Sequence, residues 1–198
     1  MAAAANRVSP PGISWESEGS GLIERIRRIT VEVLGPDGRR GAGVIWTGDG
    51  GIVTNAHVAR GHAMVRFPDG RAAPAVLLAR APDRDLAALQ VAATRLPCAE
   101  RRDPRTLRPG EIVFAVGYPA GVPAAASLGI LHSVAAGTWI EAEIRLAPGN
   151  SGGPLADAAG RVVGVNAMVA NGMGIAVSVA AIERFWRDVA ARPPGGAS

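Results

Sequence analysis

The chain has 198 residues, 48% of them hydrophobic, 19% charged and only 4% aromatic, with a formal net charge of +4. That length suits one compact domain, or two small lobes sharing a cleft, around a core that must be aliphatic. All basic residues are arginines, and their densest groups, Arg25/Arg27/Arg28 and Arg101/Arg102/Arg105/Arg108, carry no interleaved aromatics, which argues for a solvated basic surface and against a nucleic-acid partner.

Residues 1–19, rich in Ala, Ser, Pro and Gly, read as a flexible N-terminal arm. Their apolar start is too short for a signal-peptide core, so the sequence predicts a cytoplasmic protein, or a periplasmic or extracellular one if a targeting segment has been removed. From Ser20, a plausible N-cap, Leu22, Ile23, Ile26 and Ile29 recur at helical spacing and predict a short helix running into a first strand, Thr30–Leu34. Short strands follow at Gly41–Trp46, Ile52–Thr54, Ala63–Phe67, Ala73–Ala79 and Leu86–Val91, separated by turns such as Gly35-Pro-Asp-Gly38 and Pro68-Asp-Gly70. A polar connector, roughly Pro97–Pro109, leads to a second group at Glu111–Gly117, Ala126–Ser133, Thr138–Ile144, Pro154–Ala156, Val162–Val169 and Gly174–Val177.

The fold class predicted is all-β, with lobe 1 over about 29–98 and lobe 2 over about 107–178, six strands in each. Val179–Ala191 carries Ile182, Phe185, Trp186 and Val189 on one face and predicts an amphipathic helix, closing a domain over 20–191; residues 192–198 read as a flexible tail. Ile112–Ile140 and Val162–Ile182 lack charged side chains or nearly so, but repeated Gly, Pro and Asn break them into strands and predict no membrane span. Cys98 is the only cysteine, so no intrachain disulfide forms. His62 and His132 lack acidic or cysteine partners at ligand spacing, so neither a metal nor a cofactor is expected.

Three segments carry chemistry. In Gly149-Asn-Ser-Gly-Gly-Pro-Leu155, glycines flank Ser151 and allow the N–H groups of Gly149 and Ser151 to converge as an oxyanion hole. In Ile52-Val-Thr-Asn-Ala-His-Val58, His57 follows a short strand and can project into a cleft as a general base. In Asp83-Arg-Asp-Leu-Ala-Ala-Leu89, Asp85 immediately precedes an apolar strand and can orient the imidazole. Alone, each segment reads as easily as a turn or a structural residue. Together, His57 and Asp85 fall in the first strand group and Ser151 in the second, so a cleft between lobes would unite them. The string Gly149-Asn-Ser-Gly-Gly153 also satisfies the esterase formula Gly-x-Ser-x-Gly, but Pro154 follows at once and the histidine precedes the serine, the reverse of the hydrolase order.

With these residues the sequence resembles the trypsin-like peptidases, specifically the bacterial HtrA/Deg branch. The resemblance rests on Gly41-Ala-Gly43, Thr54-Asn-Ala-His-Val58, Arg84-Asp-Leu-Ala87, Leu107-Arg-Pro-Gly-Glu111, Ala115-Val-Gly-Tyr-Pro119, Pro148-Gly-Asn-Ser-Gly-Gly-Pro154 and Gly174-Ile-Ala-Val177. It implies a double six-stranded β-barrel and a serine endopeptidase, active in protein quality control, that cleaves unfolded or flexible polypeptides through an acyl-enzyme; the alternative is a protease-fold chaperone or scaffold that binds such segments with little turnover. That pattern usually begins with an export signal or anchor and continues into PDZ domains, neither seen here. It also implies a homotrimer around the N-terminal segment, with Trp15, Leu22 and Ile23 as candidate contacts. Asn150 stands where digestive relatives place an aspartate, so activation by a new amino terminus is not expected. The residues expected to bind the substrate side chain before the scissile bond are Leu146, Val165, Asn166, Ala167, Met168, Val169, Gly174 and Ile175. Arg145, six residues before the serine, is expected at the pocket base, where it would repel basic side chains, leaving a preference for small to medium aliphatic residues.

Overall fold

A computed structural model describes residues 15–119, 124–135 and 137–191, with backbone alone over 15–20; the ends of the expected arm and tail, 1–14 and 192–198, lie outside the described residues. Twelve strands form two closed antiparallel barrels. The first contains β1 (Thr30–Leu34), β2 (Arg40–Ile45), β3 (Gly51–Thr54), β4 (Ala63–Arg66), β5 (Ala72–Ala81) and β6 (Leu86–Val91), in the order β1-β2-β3-β6-β5-β4. The second contains β7 (Ile112–Gly117), β8 (Ala125–Ala135), β9 (Trp139–Ile144), β10 (Pro154–Asp157), β11 (Val162–Ala170) and β12 (Met173–Ser178), in the order β10-β11-β12-β9-β8-β7. The described parts of the two uncharged stretches are barrel strands and turns, with the end of the second opening the C-terminal helix, and among the described residues no helix is long and apolar enough to cross a membrane.

Each barrel is filled by its own inward-facing aliphatics. Val31, Val33, Ile45, Ile52, Val65, Leu89 and Val91 pack in the first; Val113, Leu131, Ile140, Ile144, Leu155 and Val163 pack in the second. Closure leaves no open sheet edge in either.

The seam between the barrels is closed by the two helices. α1 (Trp15–Arg28) sets Leu22 and Ile26 against Ala42 of the first barrel and Val116, Tyr118 and Ala156 of the second. α2 (Val179–Ala190) sets Ile182, Phe185 and Val189 into a cluster with Val44, Val53, Leu86 and Ala88 on one side and Val162, Val165 and Val177 on the other. Burying Ile182 and Phe185 alone contributes roughly 3–6 kcal/mol. Ser178 caps α2, its hydroxyl accepting from the Ala181 N–H at 3.3 Å.

One expectation is corrected here. α1 begins at Trp15, so Ser20 lies inside the helix and is not its N-cap. Gly19 and Gly21 interrupt the apolar pattern and are poor helix formers, which hid the first turn. Leu22, a candidate subunit contact, is buried against its own barrels.

Candidate active site

His57 and Asp85 meet because β3 and β6 are antiparallel neighbours. Thr54 pairs with Ala87, so the turn leaving β3 and the turn entering β6 open at the same end of the first barrel. Asp85 follows a single 3-10 turn, Pro82–Arg84, and adopts a left-handed conformation with φ 50° and ψ 45°. Aspartate tolerates that region better than most side chains. Asn55 Nδ2 donates to the Asp85 carbonyl at 2.9 Å, and the His57 backbone N–H donates to Asp85 Oδ1 at 3.1 Å.

The His57 ring completes this arrangement: Nδ1 lies 3.0 Å from Oδ1 and 2.8 Å from Oδ2 of Asp85. A carboxylate only accepts, so Nδ1 carries the proton and Nε2 keeps its lone pair. The aspartate side chain is 14% exposed and the imidazole 42%, so the pair has an anchored inner end and an accessible outer one.

Ser151 belongs to the other barrel, in the turn before β10. That turn is stitched to both barrels: the Ala42 N–H of β2 donates to the Ser151 carbonyl at 2.7 Å, and the Gly152 N–H donates to the Asn166 carbonyl of β11 at 2.8 Å. Gly152 has φ +87°, and a Cβ there would stand 2.0 Å from the Ala42 carbonyl oxygen and 2.3 Å from Thr54 Oγ1. A Cβ at Gly153 would stand 2.1 Å from the Val116 carbonyl oxygen. The bare Cα atoms of these two glycines let the serine turn press against the two barrels.

Among the hydrogen bonds of the described residues, the N–H groups of Gly149 and Ser151 donate to nothing, while Asn150 N–H is held by the Ala147 carbonyl. The Asn150 side chain is buried, and its Oδ1 has no hydrogen-bond partner among the described residues. The Ser151 hydroxyl donates to the Ala167 carbonyl at 3.2 Å; no hydrogen bond joins it to His57.

A cavity of about 310 Å³ adjoins Ser151, lined by Leu146, Ala147, Pro148, Asn166, Ala167, Met168 and Val169. Five of the expected pocket residues are among these. Val165 is not: it is fully buried in the α2 cluster. Gly174 and Ile175 also stand outside the lining; Gly174 backs Leu146, whose Cδ1 lies 3.2 Å from where a Cβ on Gly174 would be. β11 is bulged opposite β12, where Asn166 pairs with Ala176 and Met168 with Ile175, leaving Ala167 as the extra residue, whose carbonyl meets the Ser151 hydroxyl.

Arg145 is likewise not at the base of this cavity. It lines a second one, about 390 Å³, with Leu128, Glu143, Ile144 and Gly172, and Leu146 and Val169 form the wall common to both. A larger groove, about 660 Å³, lies on the first barrel around Val76, Gln90 and His62 and touches none of His57, Asp85 and Ser151.

Sequence reasoning missed Asn55 and Arg80. Asn55 lies inside a motif already singled out, so its spacing to the histidine was the available signal. Arg80, whose Nε donates to the Ala56 carbonyl at 2.8 Å, had no signal in the sequence.

The chain has relatives among known proteins. The trypsin-like peptidase domain family matches residues 41–165. The putative serine protease HhoB of Synechocystis is 29% identical over 208 residues, covering 90% of this chain and 50% of that protein. A probable periplasmic serine endoprotease, DegP-like, from Pseudomonas savastanoi is 36% identical over 172 residues, covering 82% of this chain and 34% of its own length. The chain thus spans half or less of these curated relatives. A serine endoprotease from Yersinia pestis superposes with a TM-score of 0.81 at 27% identity, over 86% of this chain and 65% of that one. The chain belongs to the trypsin-like peptidase family, with its similarity to the HtrA/DegP-type serine proteases.

Proposed function

We propose that the chain is a serine endopeptidase domain in which Ser151 is the nucleophile, His57 the general base and Asp85 its orienter. The observation that carries this reading is the His57–Asp85 pair, with Nδ1 2.8 Å from the carboxylate and Nε2 left as the basic atom. Ser151 Oγ attacks the substrate carbonyl carbon while its proton passes to His57 Nε2. The unengaged N–H groups of Gly149 and Ser151 receive the developing oxyanion. The imidazolium returns its proton to the leaving amine as the C–N bond breaks, and water then hydrolyses the acyl-enzyme by the same route. To enter this cycle the Ser151 hydroxyl must leave the Ala167 carbonyl, because one O–H cannot donate to both partners.

The cavity beside Ser151 supports a preference for small to medium aliphatic residues before the scissile bond. Its lining holds no carboxylate, so a lysine or arginine side chain gains no counter-charge there. Burial of one aliphatic side chain is worth roughly 1.5–3 kcal/mol, enough for selection by size without strict specificity. The substrate class is unfolded or flexible polypeptide, in keeping with the DegP-like relatives being endoproteases. The periplasmic DegP-like relatives favour a periplasmic setting over the cytoplasmic one expected from the first residues.

The test is incubation with unfolded casein, comparing the native chain with Ser151→Ala. Cleavage by the first and none by the second is the expected result. Binding without cleavage by both would replace this reading with the chaperone one.

A further inference from the structure

The position of Arg80 depends on a bulge. β5 and β6 pair at Leu77↔Leu89 and resume at Ala79↔Ala88, leaving Leu78 as an extra residue. An extra residue reverses the facing of everything after it. Ala75 and Leu77 accordingly pack with the interior of the first barrel, whereas Ala79 and Ala81 pack with the α2 cluster. Arg80, alternating with these last two, sits across from Ala87 of that interior, at the barrel end where the chain turns through Asn55–His57. There its Nε donates to the carbonyl of Ala56 at 2.8 Å.

That carbonyl and the His57 N–H belong to one peptide unit, which is planar. Its N–H end is held by Asp85 Oδ1 at 3.1 Å and its C=O end by Arg80. Two bonds on opposite ends of a rigid plane fix its rotation, and the direction in which His57 projects its Cβ is set by that rotation. Asp85 supplies one end from the turn entering β6; Arg80 supplies the other from β5. Among the described residues Arg80 is in no ion pair, so this bond is the use the guanidinium has in the fold.

We propose that Arg80 is a positioning residue: it clamps the Ala56–His57 peptide and thereby holds the imidazole in its reactive orientation. This rests on the reading of His57 as general base. Arg80→Met removes the donor and keeps the aliphatic stem, and Arg80→Lys restores a donor. With a fluorogenic peptide, Arg80→Met should lower kcat about tenfold (about 1.4 kcal/mol in the barrier) with KM within about twofold, and Arg80→Lys should recover most of the loss. A parallel measurement needs no turnover: in the Ser151→Ala background, the NMR signal of the His57 Nδ1–H should broaden or vanish with Arg80→Met and persist with Arg80→Lys. Native kcat and an unchanged ring signal in Arg80→Met would overturn the proposal, as would a loss confined to KM or one that lysine fails to recover. Should the native chain cleave no peptide, the endopeptidase reading fails, and the ring signal still decides the role of Arg80.

Discussion

Asp157 ends β10, the strand that continues from the serine turn, and its carboxylate is the hub of a charged network. Its side chain is 3% exposed. Oδ1 accepts from the N–H groups of Ala159 and Arg161 at 2.9 and 3.0 Å; Oδ2 accepts from Arg161 Nε and Nη2 at 3.0 and 2.7 Å and from Arg102 Nη1 at 3.2 Å. Arg102 comes from the connector between the barrels and also holds Glu111 at 2.6 Å. Burial by itself would raise the pKa of the Asp157 carboxyl, but the bonds from Arg161 and Ala159 outweigh it and hold the group below the usual carboxylate range. In Asp157→Asn the two backbone bonds survive, while the amide nitrogen that replaces Oδ2 faces two guanidinium groups, donor to donor. Hydrogen bonds to charged groups are worth about 1.5–3 kcal/mol each. Three are lost, but Arg161 is 39% exposed and can turn to water, and Arg102 keeps Glu111. The net cost should be about 2–4 kcal/mol at neutral pH, read from urea unfolding of both proteins at equal m-value. Because the folded pKa is depressed, the stabilisation is complete above the unfolded value of about 3.9 and is lost as pH falls below it through the folded value. The gap between native and variant should therefore narrow from pH 5 toward pH 2.5. A gap that stays constant over that range, or a variant as stable as the native chain at neutral pH, would refute the reasoning.

Three further outcomes are expected. Ser151→Ala and His57→Ala should each lower peptidase activity by several orders of magnitude and the double variant little further, since the residues act as a unit; additive losses in a kcat comparison would count against it. Leu146→Ala should join the two cavities it separates and shift a peptide-library profile toward longer side chains, such as Phe or Met, before the cleaved bond, whereas an unchanged profile would mean the wall lies elsewhere. Gly152→Ala should cost more than about 2 kcal/mol in urea unfolding and remove most activity, since its Cβ would fall 2.0 Å from a backbone oxygen at a φ of +87°; native-like melting would exclude that packing.

The sequence by itself determined the strand count and the division into two groups of six, and it singled out the three residues proposed for catalysis. These are local signals: short aliphatic runs cut by Gly, Pro and Asp, and chemistry-bearing residues at strand ends. It also determined α2, whose apolar face repeats at helical spacing up to its Ser178 cap. Tertiary structure decided what depends on register and on neighbours distant in sequence. Val165 faces the core because β11 is already bulged at Val163 opposite β10, and Arg145 lines the cavity behind the pocket because Leu146 stands between the two. The bulge at Leu78 likewise decides that Arg80 reaches the Ala56 carbonyl rather than solvent. A one-residue bulge reverses every side chain beyond it, and it arises from pairing with another strand, so no periodicity within the strand itself can announce it. The same limit applied to Gly152 and Gly153. Their motif marked a tight turn, but only the approach of Ala42 and Val116 from the two barrels shows what the turn is tight against.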